Sequence, residues 1–154
     1  MRLVAVGDRQ PDWVDTACKD YAGRLPRPWK FESRALPLSR RRRGGDAALA
    51  RDDECAAILK ELRADERVIM LDERGRQLST AELAEAIGDW QSDGRDVCFV
   101  IGGPDGLNDD CLERADLRWS LSRLTLPHGL ARILCVEQLY RAASLRDGHP
   151  YHRA

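Results

Sequence analysis

Short runs of consecutive apolar residues alternate along this chain with longer segments in which apolar positions recur every three or four residues. The runs carry the signature of strands buried on both faces, the segments that of amphipathic helices. Residues 3–6 read as a first buried strand, and Pro11-Asp12-Trp13 opens a helix to about Arg24. Proline sits there in a first turn, where its missing N–H is not needed. Residues 31–36 form a second strand. Residues 46–64 are helical, with Leu49, Cys55, Ile58, Leu59 and Leu62 offered as an apolar face. Val68-Ile69-Met70-Leu71 is a third strand. Ser79 begins the next helix with Glu82 three positions on, the spacing at which each side chain satisfies the other's free backbone amide. That helix runs to about Gln91, and Asp93-Gly94 turns the chain into residues 97–101, the most hydrophobic strand. A short helix near 108–115, a strand near 117–121 and a long helix over 129–147 complete the pattern.

Five strands interleaved with five helices predict one α/β domain over residues 1–154, built on a mainly parallel sheet of five or six strands with helices on both faces. A chain of 154 residues buries about two-thirds of its unfolded surface in a single core. Ligands in open sheets of this kind sit beyond the carboxyl ends of the strands. The loops leaving the strands are therefore where chemistry is expected.

Composition narrows the class. With 43% hydrophobic and 33% charged residues the chain is globular rather than disordered. No apolar run approaches the roughly 20 residues of a bilayer-spanning helix, and the start turns polar too soon for a secretory signal, so a cytoplasmic location is expected. Cys18, Cys55, Cys98, Cys111 and Cys135 show no C-x-x-C spacing, which predicts reduced, mostly buried thiols and no metal site. The net charge of −1 hides a division along the chain. Residues 1–45 hold eleven Lys/Arg against five Asp/Glu, residues 46–96 seven against fourteen, and the remainder balances. The basic segment contains Arg40, Arg41, Arg42 and Arg43 in a row, pointing to an anionic partner met locally.

Three loops and the chain end carry the candidate chemistry. Ile101-Gly102-Gly103-Pro104-Asp105-Gly106 follows the most hydrophobic strand; its glycines permit positive φ and close backbone approach, and a tight turn alone would also explain them. Leu121-Ser122-Arg123-Leu124-Thr125-Leu126-Pro127-His128 mixes apolar side chains with hydroxyls, a surface suited to a flat ligand such as adenosine, or else a plain connection capped by Thr125 or His128. Leu71-Asp72 ends the middle strand. Glu137 and Arg141 lie four apart on the last helix, and that helix is apolar around so much of its girth that burial on more than one side, as at a subunit interface, is expected. The chain closes on His149-Pro150-Tyr151-His152-Arg153-Ala154, where two imidazoles, a phenol and a guanidinium could orient and deprotonate a planar substrate.

These segments in this order resemble the SPOUT-class methyltransferases that modify N3 of a pseudouridine in large-subunit ribosomal RNA, the rRNA large subunit methyltransferase H family. The likeness runs through Val4-Ala5-Val6-Gly7, Pro11-Asp12-Trp13-Val14, Asp93-Gly94-Arg95-Asp96-Val97, Ile101 to Leu107, Leu124-Thr125-Leu126-Pro127-His128, Glu137-Gln138-Leu139-Tyr140-Arg141-Ala142 and His149-Pro150-Tyr151-His152-Arg153. It implies a C-terminal trefoil knot, a homodimer, S-adenosylmethionine as methyl donor, and ribosomal RNA or the ribosome as partner. It places the donor against Leu71, Gly102, Gly103, Leu121, Ser122, Arg123, Leu124, Thr125, Leu126 and Pro127. Arg141 and Arg153 are then assigned to substrate positioning and charge stabilisation, His128, His149 or His152 to proton acceptance, Glu137 to orienting a neighbour, and Tyr151 to contact with the target base. The active site is expected to be shared between two chains. Two positions depart from expectation: Gly129 follows His128 where a better helix former belongs, and the basic loop holds little lysine. The rival readings are a SPOUT enzyme acting on transfer RNA, a non-catalytic RNA-binding dimer, and a nucleotide-handling hydrolase. The last lacks a P-loop, a nucleophile elbow and a metal-ligand cluster. Replacing Arg40, Arg41, Arg42 and Arg43 by alanine should weaken RNA binding evenly across sequences. In filter binding at several ionic strengths, the log–log salt slope should fall by about 0.7–0.9 per lost phosphate contact.

Overall fold

The computed structural model describes residues 1–27, 29–40 and 46–153, the last two by their backbone alone. In chain order the elements are β1 (Arg2–Val6), α1 (Asp12–Arg24), β2 (Glu32–Leu36), α2 (Ala47–Glu61), β3 (Arg67–Gln77), α3 (Thr80–Asp93), β4 (Val97–Ile101), α4 (Asp109–Glu113), β5 (Leu117–Ser120) and α5 (His128–Arg146), then a 3-10 turn at Pro150–Arg153. The five strands form one sheet in the order β2-β1-β4-β3-β5, and every pairing is parallel. The expected α/β domain with helices on both faces is what the chain adopts.

Strand alternation sorts the core into two layers. Leu3, Ala5, Ile69, Phe99 and Ile101 point to the face covered by α3 and α5, where they meet Leu83, Ile87, Val136 and Leu139. Val4, Val6, Val68, Met70, Cys98 and Val100 point to the other face, against Cys55 and Ile58 of α2 and Cys111 of α4. Helix α1 lies beside α5 on the first face. The apolar runs were readable as strands because both faces of the inner strands are covered, so every position must be apolar.

The predicted capping box forms: Ser79 Oγ accepts from Glu82 N and the Glu82 carboxylate accepts from Ser79 N at 2.8 Å. Helix α3 ends at Gly94, whose φ of +78° closes the helix in a conformation that costs other residues energy. Four cysteines are buried, Cys18 is half-buried, and all five are free thiols.

Three local expectations need correction. The middle strand does not stop at Leu71. It bulges through residues 72–75 and resumes, so that Trp119 of β5 faces both Leu71 and Arg76. Gly75 allows this, since a β-carbon there would stand 2.7 Å from the Arg118 carbonyl carbon and oxygen. Leu49 is 63% exposed and outside the α2 apolar face, where Cys55 and Ile58 are buried and the predicted Leu59 and Leu62 pack half-buried against the same cluster. Gly129, unexpected in a first helical turn, lies where α5 crosses α1: a β-carbon would press to 2.9 Å from Val14 Cγ2. Close helix approach, not helix propensity, selects glycine at that position.

Two guanidinium groups tie elements together. Arg132 of α5 is buried and donates from Nη2 to the carbonyls of Val6 and Gly7, fixing the loop that leaves β1. At the opposite, amino end of the sheet, Arg2 grips Glu66 in a two-pronged pair at 2.9 and 2.7 Å and also donates to Glu61 O. Glu66 is fully buried and accepts a further bond from Arg63 N. Burial by itself would raise the Glu66 pKa; the Arg2 fork and the Arg63 amide outweigh it and hold the carboxyl below its usual value. The stabilisation is therefore complete above the unfolded value of about 4.3 and is lost as pH falls through the lower folded one. Glu66→Gln should lower unfolding free energy by about 3–5 kcal/mol at neutral pH, because buried Arg2 loses its two-pronged partner and keeps only the longer contact with the part-exposed Glu61 carboxylate. Urea titrations at pH 7 and pH 4 should show the deficit shrinking in acid.

Candidate active site

A cavity of about 1080 Å³ opens beyond the carboxyl ends of β3, β4 and β5. One wall is the turn leaving β4. Gly106 N donates to Gly103 O at 2.9 Å, and Gly106 carries the positive φ of +78°. Gly102 and Gly103, expected to supply that conformation, do not have it. They are glycines for want of space: a β-carbon on Gly102 would stand 2.9 Å from Gly106 O, and one on Gly103 would fall on the Glu54 carboxylate.

The opposite wall is the segment between β5 and α5. Ser120 Oγ donates to Ser122 O at 3.0 Å, and Ser122 Oγ accepts from Leu124 N at 2.9 Å, so two hydroxyls shape the first half of the loop. Leu71, Gly102, Gly103, Leu121, Ser122, Leu124, Thr125, Leu126 and His128 all line the cavity; Arg123 and Pro127 do not. Leu124 is 76% exposed, which leaves a large apolar side chain at the mouth in water. Helix α5 begins at His128 after Pro127, with no side-chain cap, so neither Thr125 nor His128 serves as one.

Asp72 and Asp105 of the predicted loops line the cavity too, but the other lining residues were not singled out from sequence. The bulge contributes Asp72, Glu73 and Arg74, α2 gives Arg51 and Asp52, β5 gives Arg118, and the β4–α4 loop adds Asp105, Asn108, Asp109 and Asp110. Among the described residues, six carboxylates against three guanidiniums make the lining acid-rich, favourable to a ligand with positive charge. The Asp72-Glu73-Arg74-Gly75 stretch was the one available signal, since four polar or small residues interrupt a strand pattern there.

The second cluster lies farther along α5. Glu137 is buried and partnered on every side. Arg141 Nε and Nη2 bind its Oε1 at 2.9 and 2.8 Å, Tyr151 donates its hydroxyl to the same oxygen at 3.1 Å, and Gln138 Nε2 donates to Oε2 at 2.6 Å. The Arg141 guanidinium stacks 4.8 Å from the Tyr151 ring centroid, and Tyr140 packs 4.6 Å from the same ring. The chain end is thus folded back on α5. Tyr151 N donates to His149 Nδ1 at 3.3 Å, which turns the 3-10 segment. Burial, the neighbouring Tyr21 hydroxyl and the Glu137 charge push the Tyr151 phenol pKa up, so at neutral pH it is a hydrogen-bond donor and not a base.

Sequence reasoning brought cavity and tail residues into one list, whereas within one chain they form two groups. None of Glu137, Arg141, His149 or Tyr151 lines the cavity. At 1.5 Å per residue, Glu137 stands about 13 Å along the helix from His128. Arg40 is exposed beyond the end of β2. Arg41, Arg42 and Arg43 and the side chains of His152 and Arg153 lie outside the described residues.

A family profile described as "Predicted SPOUT methyltransferase" matches residues 1–152. The chain belongs to the SPOUT methyltransferase family. As a SPOUT methyltransferase it is an enzyme. The chain is 50% identical over 154 residues to a protein of Alkalilimnicola ehrlichii named ribosomal RNA large subunit methyltransferase H, covering 100% of this chain and 99% of the relative. Proteins of the same name from Chromohalobacter salexigens and Thioalkalivibrio sulfidiphilus are 49% and 47% identical over 153 residues, each covering 99% of this chain. They span 99% and 98% of those relatives. Among the described residues of this SPOUT methyltransferase, no helix is long and apolar enough to cross a membrane. Tyr151→Phe deletes one bond to a buried carboxylate and should loosen the tail by about 1.5–3 kcal/mol. Hydrogen exchange at residues 149–153 should accelerate accordingly, with exchange in the β4 core unchanged.

Proposed function

We propose that this protein transfers a methyl group from S-adenosylmethionine to N3 of a pseudouridine in large-subunit ribosomal RNA. It does so as a cytoplasmic homodimer acting on the assembled ribosome. The name shared by full-length relatives supports the RNA class, and the resemblance of the cavity and tail motifs supports the nucleotide and position. The observation that carries the reading is the separation of the two residue groups: among the described residues no tail side chain lines the cavity, and Tyr151 of the tail instead joins Arg141 on the buried Glu137 of α5, outside it. A second copy brings the two together.

The cavity suits the donor. Leu71, Leu121 and Leu126 offer apolar walls for an adenine, Gly102 and Gly103 leave backbone unshielded by side chains, and the acid-rich lining complements a sulfonium cation. Bound there, S-adenosylmethionine supplies an electrophilic methyl on positively charged sulfur. A dimer is further supported by apolar side chains in water on the two packed helices, Trp13 of α1 at 56% exposed and Leu130 of α5 at 40%. The trefoil knot implied by the resemblance would hold the 121–127 loop and α5 in fixed relation to the glycine turn.

In-line transfer to a ring nitrogen depends on placement, so much of the rate comes from residues that fix the target base. Glu137 holds Arg141 in one orientation, and Arg141 with Arg153 positions the base and stabilises the anion formed as the N3 proton leaves. Tyr151, kept protonated, donates to or stacks on the base. His128, His149 or His152 accepts the proton, a task suited to an imidazole near neutral pH. The four arginines 40–43 bind phosphates of the surrounding RNA. The folded ribosomal surface supplies the selectivity.

Mixed dimers test the shared site. A variant lacking residues 149–154 and a cavity-blocking Gly102→Val variant should each be inactive. Refolded together they should regain about a quarter of wild-type methyl transfer, since half of randomly paired dimers are mixed and each has one intact site of two. No recovery in dimers that form normally would end the reading. Comparing free ribosomal RNA, isolated large subunits and whole ribosomes as acceptors should show turnover only with the assembled particle.

A further inference from the structure

One buried carboxylate near the cavity has no part in the chemistry above. Glu54, in the second turn of α2, is 1% exposed. Its Oε1 accepts from Ser39 N at 3.0 Å, in the segment leading directly to Arg40. Its Oε2 occupies the place that a β-carbon on Gly103 would take. A single carboxylate thus stands against the glycine turn on one side and the foot of the arginine run on the other.

The rest of α2 reinforces that placement. Asp52 accepts from Asn108 Nδ2 at 3.0 Å, and Cys55 Sγ accepts from Asn108 N at 3.2 Å. Cys111 Sγ in turn donates to Cys55 O at 3.6 Å. The β4–α4 loop therefore packs against the Glu54 carboxylate at its start and is bonded to Asp52 and Cys55 of α2 at its end. Asn108 and Gly103 both line the cavity, whereas Glu54 itself does not. A buried charge is costly unless it is engaged in fixed bonds, so this carboxylate marks a position where geometry is held firmly.

We propose that Glu54 is a positioning residue for the methyl donor. Its carboxylate sets the depth at which the Gly102–Gly106 turn stands in the cavity wall and ties that turn to the loop bearing Arg40. The inference rests on the cavity being the donor's site. Gly103 is then doubly determined: it needs no side chain for the ligand, and it has no room for one because Glu54 is behind it. Ser39, the neighbour of Arg40, and the donor-binding turn meet the same carboxylate, so RNA contact at Arg40 and donor contact at Gly103 are mechanically linked.

The test uses the full-length protein and S-adenosylmethionine in calorimetry, with turnover on whole ribosomes. Glu54→Gln keeps the side-chain volume and removes the charge. It should raise both the dissociation constant and the KM for S-adenosylmethionine by about ten- to thirtyfold, with kcat at saturation within about twofold of wild type. A role limited to holding the fold would lower the melting temperature while leaving the dissociation constant of the folded fraction unchanged, and that result overturns the proposal. A double-mutant cycle gives an independent reading. Gly103→Ala should weaken donor binding alone, but should add little to Glu54→Ala, where the truncated side chain leaves room for the new methyl. Additive losses overturn the proposal. Absence of donor binding by the wild type sinks the functional reading and this inference together; equal binding by wild type and Glu54→Gln sinks this inference alone.

Discussion

Backbone-to-backbone proximity governs the carboxyl edge of this sheet. At Gly75 the resumed half of β3 touches the β5 main chain, at Gly102 the turn closes on its own Gly106 carbonyl, and at Gly129 helix α5 touches α1. Each contact leaves no space for even one added carbon. A methyl at Gly75 or Gly102 moves a main chain, and main chains in a packed interior shift together rather than singly; one at Gly129 presses on the branched Val14 side chain. The cavity is the space that remains once these approaches are satisfied, which is why its walls are loops of small and hydroxylated residues.

The two ends of the sheet are built on opposite electrostatic terms. At the amino end, Arg2 and Glu66 neutralise each other in a dry, multiply bonded pair, with Glu61 and Arg63 completing the network. At the carboxyl end, acidic and basic groups stand around open space. Charge is drawn into close pairs at the amino end and spread around the cavity at the carboxyl end. Helix α5 spans the difference. Its first turn borders the cavity, Arg132 clamps the loop after β1, and its later turns hold Glu137 and Arg141 against the returning chain end.

Much of this was legible in the sequence, for identifiable reasons. Inner strands covered on both faces must be apolar throughout, so β1, β3 and β4 announce themselves. The Ser79–Glu82 cap is a local device and was found locally. The loops beyond the strand ends gather at one cavity, because parallel topology sends them all to one side. What escaped was set by distant neighbours. The continuation of β3 depends on Gly75 meeting Arg118, more than forty positions later. Gly102 and Gly103 looked like conformational hinges, but steric pressure from Gly106, Leu107 and Glu54 is what excludes side chains there, and the left-handed residue is Gly106. Glu54 itself looked like one more acid in an acidic helix until its burial behind the turn was seen. The tail's residue types signalled chemistry, yet nothing local indicated that Tyr151 folds onto Glu137 instead of reaching its own chain's cavity.

The pairing of β1 bears on how the chain is made. Its first residues emerge earliest from the translating machinery, and β2 can reach them soon after, but Leu3 lies opposite Phe99, about a hundred positions downstream. At about 5–20 residues per second, several seconds pass before that central neighbour exists. Throughout this interval an apolar strand must stay soluble with one edge open, and long-range parallel contacts form slowly even once both strands are present. A chain whose first strand waits so long for its neighbour depends on early shielding by helices on its flanks, or by cellular holdases, to avoid joining another nascent copy.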